Sequence, residues 1–95
     1  MDRYEWDEAK NRANRTKHGI SFEEAIEIFK GDTFSLIDYR DDYGELREVT
    51  IGAIKGLIVL VVVHTERNGR VRIISARRAS KKERKNYYEH ITRAA

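Results

Sequence analysis

Ninety-five residues, 40% of them hydrophobic and 37% charged, suit one domain spanning residues 1–95 with one core, and every apolar run is needed to build it. The absence of cysteine excludes disulfides and thiolate metal sites, and the longest apolar run, seven residues from Leu57 to Val63, falls far short of the roughly 20 that span a bilayer. The net charge of +3 hides a division: residues 1–48 carry 8 Lys/Arg against 13 Asp/Glu, whereas residues 49–95 carry 11 against 3.

The opening "MDRYEWDEAK" has no apolar stretch of the secretory type, so the expected location is the cytoplasm. Arg3 to Trp6 reads as a short first strand. Asp7 then offers an N-cap for a charged helix from Glu8 to His18 that stops at Gly19, with Trp6, Ala9, Ala13 and Ile20 as its thin apolar edge. Ser21 and Glu24 form a capping-box pair, and Phe22, Ala25, Ile26 and Phe29 recur at helical spacing, which predicts a second helix ending near Gly31. From Thr33 the period becomes strand-like through Phe34, Leu36 and Ile37. The segment "DYRDDYGE" reads as a polar crossing. Three strands rich in Val, Ile and Thr follow: Leu46 to Ala53, Leu57 to Arg67, and Arg70 to Arg77. Ser80 with Glu83 repeats the capping-box spacing and opens a last helix through Tyr87, Tyr88 and Ile91. The predicted order is β-α-α-β-β-β-β-α, an α+β fold.

Asn68-Gly69 is the strongest turn signal, because a type I′ hairpin needs positive φ at both central residues. A two-residue turn there sets Arg67 opposite Arg70, Thr65 opposite Arg72, His64 opposite Ile73 and Val62 opposite Ser75. If Lys55-Gly56 is also a two-residue turn, Arg47 faces His64, Val49 faces Val62 and Ile51 faces Leu60. One sheet face then holds Val49, Ile51, Ile58, Leu60, Val62, Val71 and Ile73 beneath the first two helices. The other holds Glu48, Thr50, Thr65, Arg67, Arg70, Arg72 and Arg78 beside Val59, Val61, Val63 and Ile74. A three-residue turn at the same place would exchange the faces of Arg47 and Thr50.

The arginines carry the functional signal. Arg67, Arg70, Arg72, Arg77, Arg78 and Arg84, joined by Arg47 from the neighbouring strand and by Lys81, Lys82 and Lys85, cluster in the last strands and the start of the last helix. Guanidinium forks beside a helix N-terminus bind phosphate oxygens, through bidentate bonds and through the unsatisfied N–H groups of the first turn. The competing reading is a solvated basic face neutralised by the acidic half of the chain or by an acidic partner. His64 could act as an acid or base near neutral pH at the rim of a cleft, or sit half-buried with a satisfied hydrogen bond. Glu66 and Glu83 could accept a proton, although arginine neighbours would lower their pKa values and weaken them as bases. No serine elbow, glycine-rich phosphate loop or metal-spaced histidine pair is present, so triad hydrolases and metal centres are not expected.

Taken together, "WDEAKNRANRTKHGISFEEA", the R-x-x-x-I-G of Arg47 to Gly52, "VVVHTER" and "RIISARRASKKERKNY" resemble the BrnT family of bacterial type II toxins. The resemblance implies a RelE-like fold: a curved antiparallel sheet, two N-terminal helices on one face and a C-terminal helix. It implies a metal-independent ribonuclease without cofactor that inhibits translation. Its expected partner is a BrnA-like antitoxin with a DNA-binding domain, through which alone the toxin would reach operator DNA. Carried onto this chain, the catalytic residues are Arg47, Arg77, His64 and Glu83. Arg67, Arg70, Arg72, Arg78, Lys81 and Lys82 would hold RNA. The alternative is a non-catalytic module that only docks nucleic acid or an antitoxin.

Overall fold

A computed structural model of the chain describes residues 3–94. Five strands form one sheet: β1 (Tyr4–Glu5), β2 (Thr33–Ile37), β3 (Arg47–Ile54), β4 (Ile58–Arg67) and β5 (Arg70–Arg78), in the spatial order β1-β5-β4-β3-β2. Helix α1 (Glu8–His18) and helix α2 (Phe22–Ala25), which continues as a 3-10 segment over Ile26–Lys30, lie between β1 and β2; α3 (Lys81–Ala94) follows β5. The α+β class and the element order agree with expectation. The sheet is mixed, however, because β1 runs parallel to β5 through Tyr4 and Glu5 opposite Val71 and Arg72. Both N-terminal helices and the other three strands separate β1 from β5 in the chain, far more than the crossover that parallel neighbours require.

The local start and stop signals all form. Asp7 accepts from the N–H groups of Ala9 and Lys10, Gly19 takes the left-handed conformation at the end of α1 (φ 72°), and Ser21 and Glu24 close a reciprocal capping box. The buried face of α1 differs from the apolar edge expected. Ala9 and Ala13 are exposed, and the side chains it turns inward are Asn11 and Asn14. Asn11 accepts from the N–H of Phe22 at 2.8 Å and donates to Glu23 at 2.8 Å. Asn14 donates to the carbonyls of Ile20 and Ala76, both at 2.8 Å, and accepts from the N–H of Ala76 at 3.2 Å. Its carboxamide thus takes the place of a strand where β5 extends past β1, satisfying a backbone edge that would otherwise be buried without partners.

Two local features set the faces of the sheet. The loop between β3 and β4 is three residues long, with Lys55 and Gly56 both at positive φ and Ile54 opposite Ile58. Every β3–β4 pair is therefore one residue away from the two-residue-turn register: Arg47 lies opposite Thr65, Val49 opposite Val63 and Ile51 opposite Val61. Val49 and Ile51 leave the helix-covered face expected for them, and Thr50 moves onto it. Gly52 shows why this register packs. A Cβ there would stand 2.8 Å from Thr33 Cγ2 and 2.9 Å from Ile28 Cβ, so only glycine lets the 3-10 segment lie this close to the sheet.

The second feature is a bulge. The Asn68-Gly69 hairpin has the expected register from Arg67 opposite Arg70 to His64 opposite Ile73, after which the ladder shifts at Val63/His64 and Ser75 falls opposite Val63, not Val62. From the bulge onward inside and outside are exchanged, which brings Arg77 opposite Val61 and Arg78 opposite Leu60.

One core cluster lies beneath α1, α2 and the 3-10 segment, where Ile20, Phe22, Ala25 and Ile28 meet Leu60, Val62, Ile73 and Ala76. Trp6 packs edge-on against Phe22 with ring centroids 6.1 Å apart. The other cluster lies beneath α3, where Ile51, Val59 and Val61 meet Ala79 and Tyr87. Tyr87 also donates from its hydroxyl to the carbonyl of Asp32 at 2.7 Å, tying α3 to the start of β2. Tyr88 is exposed. Among the described residues no helix is long and apolar enough to cross a membrane.

Candidate functional site

The first turn of α3 and the chain leaving β2 flank a cleft of ≈ 590 Å³ on the α3 face of the sheet. Its floor is apolar, made by Phe34 and Leu36 of β2 and Val49 and Ile51 of β3. Ile37, Asp38, Tyr39 and Arg40 form one wall; Glu83 and Asn86 form the other. Leu36 is 60% exposed and Tyr39 85% exposed, so apolar surface is open to solvent at the mouth.

The α3 wall is built by a cap. Ser80 donates its N–H to Glu83 Oε1 at 2.8 Å, and Glu83 returns its N–H to Ser80 Oγ at 3.2 Å. The same carboxylate receives both ends of the Arg77 guanidinium, Nη1 to Oε1 at 2.7 Å and Nη2 to Oε2 at 2.9 Å. Hydrogen bonding from Arg77, aided by the Ser80 N–H and opposed by partial burial, lowers the Glu83 pKa to about 2. Glu83 is accordingly a weak proton acceptor at neutral pH. It acts as a mount that holds Arg77 beside the positive end of the α3 dipole.

The opposite wall repeats the device. Arg40 Nε and Nη2 donate to the two oxygens of Asp38, each at 2.8 Å. The Arg40 bonds are the chief cause holding the Asp38 carboxyl well below its ordinary range, and they raise the arginine in turn. Next along the chain, the Arg47 guanidinium lies 3.9 Å over the ring of Tyr43, and Glu45 bridges Arg67 at 3.1 Å and Arg47 at 3.5 Å. The second of these contacts is poorly aligned, leaving Arg47 Nε buried without an acceptor. Arg47 is half-buried and braces the segment after β2 against the sheet.

The remaining residues singled out by sequence are dispersed. Arg72 pairs with Glu5 at 2.9 Å on the β1 side, and Arg70 sits at the hairpin tip beside Arg67. Arg78 lies on the opposite face of β5, where its charge reaches Glu24. Lys81 and Lys82 are exposed on the first turn of α3. The basic half of the chain is thus partly neutralised by the acidic half, through Glu5 and Glu45, and the guanidiniums do not converge into one pocket. Of the four residues expected to be catalytic, the structure brings Glu83 to the cleft wall with Arg77 bonded to it, sets Arg47 behind the other wall, and takes His64 elsewhere.

His64 lies on the helix-covered face. Its Nε2 is 2.6 Å from Thr50 Oγ1, which is 2.6 Å from Ser35 Oγ, and its ring meets Phe29 edge-on. Burial lowers its pKa below the ordinary 6.5, with only Glu48 acting the other way. The neutral ring is the folded form, and the unfolded chain binds the proton first as pH falls. Stability is therefore lost as pH falls below about 6.5. Urea midpoints measured from pH 8 to pH 5 should fall for the wild type and stay flatter for His64→Gln; equal slopes would assign the titration to another group.

Sequence reasoning missed Arg40, Asp38 and Tyr43, having treated "DYRDDYGE" as a plain crossing. The available signal was the Asp-x-Arg spacing directly after a strand, which lets a carboxylate receive both the backbone N–H and the guanidinium two residues on. Among the described residues no three His, Asp or Glu side chains converge as metal ligands would.

These features define a small α+β protein with an apolar-floored cleft walled by Arg40 on one side and by Glu83, which carries Arg77, on the other. The chain belongs to the BrnT family: the family model described as ribonuclease toxin, BrnT, of type II toxin-antitoxin system matches residues 6–83. Among solved structures, the ribonuclease toxin BrnT of Brucella abortus is similar, with a TM-score of 0.63 and 25% identity over 85% of this chain and 100% of that one. No curated protein matches the chain. The protein is a ribonuclease toxin of a type II toxin-antitoxin system, and an antitoxin is its partner.

Proposed function

We propose that residues 1–95 act as one toxin domain that cleaves RNA in the cleft between β2 and α3, arrests translation in the cytoplasm, and is neutralised by a BrnA-like antitoxin carrying a DNA-binding domain. The observation that carries the site is Arg77, held by two hydrogen bonds on Glu83, the residue of the capped N-terminus of α3 that lines the cleft. Two N–H groups of its guanidinium stay on Glu83 and a third donates to the Arg78 carbonyl at 3.3 Å, so Nε and the second N–H of Nη2 remain for a phosphate oxygen.

The reaction this geometry serves is transesterification. The ribose 2′-oxygen attacks the adjacent phosphorus, its proton passes to water or a neighbouring acceptor, the bond to the 5′-oxygen breaks, and that oxygen takes up a proton. Fixed guanidinium groups stabilise the charge that builds on the non-bridging oxygens, which needs no metal ion. DNA, without the 2′-hydroxyl, would survive. In this reading Glu83 positions Arg77, Arg47 braces the wall, and His64 is structural. Arg67, Arg70, Lys81 and Lys82 draw the RNA backbone toward the cleft by long-range attraction, an effect that salt weakens.

Incubating the purified protein with single-stranded RNA in EDTA tests the proposal. Fragments ending in 2′,3′-cyclic phosphate and 5′-hydroxyl groups are expected. RNA that binds and stays whole would favour the docking module instead.

A further inference from the structure

Arg40 combines exposure with fixed direction. Its side chain is 71% exposed, yet the Asp38 carboxylate beneath it is 1% exposed. The fork to Asp38 occupies Nε and one N–H of Nη2, so three of the five N–H groups of a guanidinium remain unused and point away from the carboxylate. Asp38 is itself held: it accepts from the Arg40 N–H at 3.1 Å and the Tyr43 hydroxyl at 3.3 Å, and its own N–H donates to the Arg47 carbonyl at 2.8 Å. The arginine has lost its rotamer freedom on folding, before any ligand arrives. Solubility requires no such mount, since a surface ion pair adds little stability. Arg40 lines the cleft opposite Glu83, and it stands close enough to the Arg77 mounted on Glu83 for the two charges to oppose each other. Each guanidinium already has its own carboxylate, so what the pair offers an incoming anion is the unused N–H groups that those carboxylates hold in place.

We infer that Arg40 is a second phosphate-contacting catalytic residue, donating to a non-bridging oxygen of the scissile phosphodiester across the cleft from Arg77, while Leu36, Val49 and Ile51 seat the adjoining nucleobase. Asp38 and Tyr43 are positioning residues that aim Arg40. This assignment rests on the cleft being the cleavage site. Single-stranded RNA is the occupant that matches both parts of the surface: an apolar, aromatic-flanked floor for an unstacked base and two guanidiniums for the backbone beside it.

The test uses the full chain, an RNA oligonucleotide, and the same oligonucleotide methylated at every 2′-oxygen so that it binds without being cut. Arg40→Ala should lower the cleavage rate by about 10²-fold, added guanidinium ion should restore part of that loss, and affinity for the methylated strand should fall several-fold. Arg40→Lys should recover little, because a point charge cannot use the same fork. Since Arg40→Ala leaves Asp38 buried without its cation, the paired change Asp38→Ala with Arg40→Ala is measured alongside and should show the same two losses. Wild-type cleavage and binding in both, with Arg77→Ala inactive, would overturn the role of Arg40 and leave the site in place. Wild-type cleavage by Arg77→Ala would move the site elsewhere; the Arg40 inference would then fall if binding of the methylated strand were also unchanged, and survive as an RNA contact if that binding were lost.

Discussion

Arg77→Ala should lower the rate of RNA cleavage by about 10²- to 10³-fold, the usual cost of removing one well-placed donor to a developing anion. The loss should appear in kcat more than in KM, because the guanidinium acts on charge that exists only in the transition state. Stability should change little. Arg77 and Glu83 are both partly exposed, so their pair is worth less than about 1 kcal/mol, and Glu83 keeps its capping bonds to Ser80 without the arginine. The sign of the pH effect gives a second readout. The Glu83 pKa is about 2 in the folded protein against an ordinary 4.5, so its contribution is fully present above pH 4.5 and fades as pH falls toward 2. Arg77→Ala should flatten that acid limb. Cleavage within a few-fold of wild type, in a variant whose thermal midpoint is unchanged, would remove Arg77 from the chemistry.

Asn14→Ala should be the most damaging single change to stability, costing about 3–5 kcal/mol, since it strands the carbonyls of Ile20 and Ala76 and the N–H of Ala76 at a buried position. Asn14→Asp should be no milder, because it replaces the donor to two carbonyls with a buried negative charge. The effect should be seen as a lower urea midpoint with an unchanged slope, which separates lost stability from a change in the denatured state. A cost below about 1 kcal/mol would mean that the edge of β5 finds other partners when the carboxamide is gone. The damage should extend to the site, because Ala76 immediately precedes Arg77 and the bulge that puts Arg77 on the α3 face lies just upstream in the same strand.

Signals confined to a few neighbouring residues were legible in the amino-acid order. Asp7, Ser21 with Glu24 and Ser80 with Glu83 mark helix starts, Gly19 marks a helix end, and Asn68-Gly69 marks a hairpin. Each bond or backbone angle they require is satisfied within about four residues, so sequence suffices to specify them. The same holds for the family likeness and for the placing of Arg77 and Glu83 next to the capped start of α3.

Which face each strand presents was decided by the tertiary structure. A strand alternates with a period of two, so one added residue exchanges its faces; here the third loop residue at Leu57 does this to β3 and the bulge at Ile74 does it to the end of β5. The first is tied to Gly52 fitting against Ile28 and Thr33, and the second accompanies the Asn14 bonds to Ala76. These contacts join segments far apart in the chain. For the same reason the arginines could be counted but not mapped: whether a guanidinium opens onto a cleft, as Arg40 does, or closes on a distant carboxylate, as Arg72 does on Glu5, depends on which groups the fold carries to it.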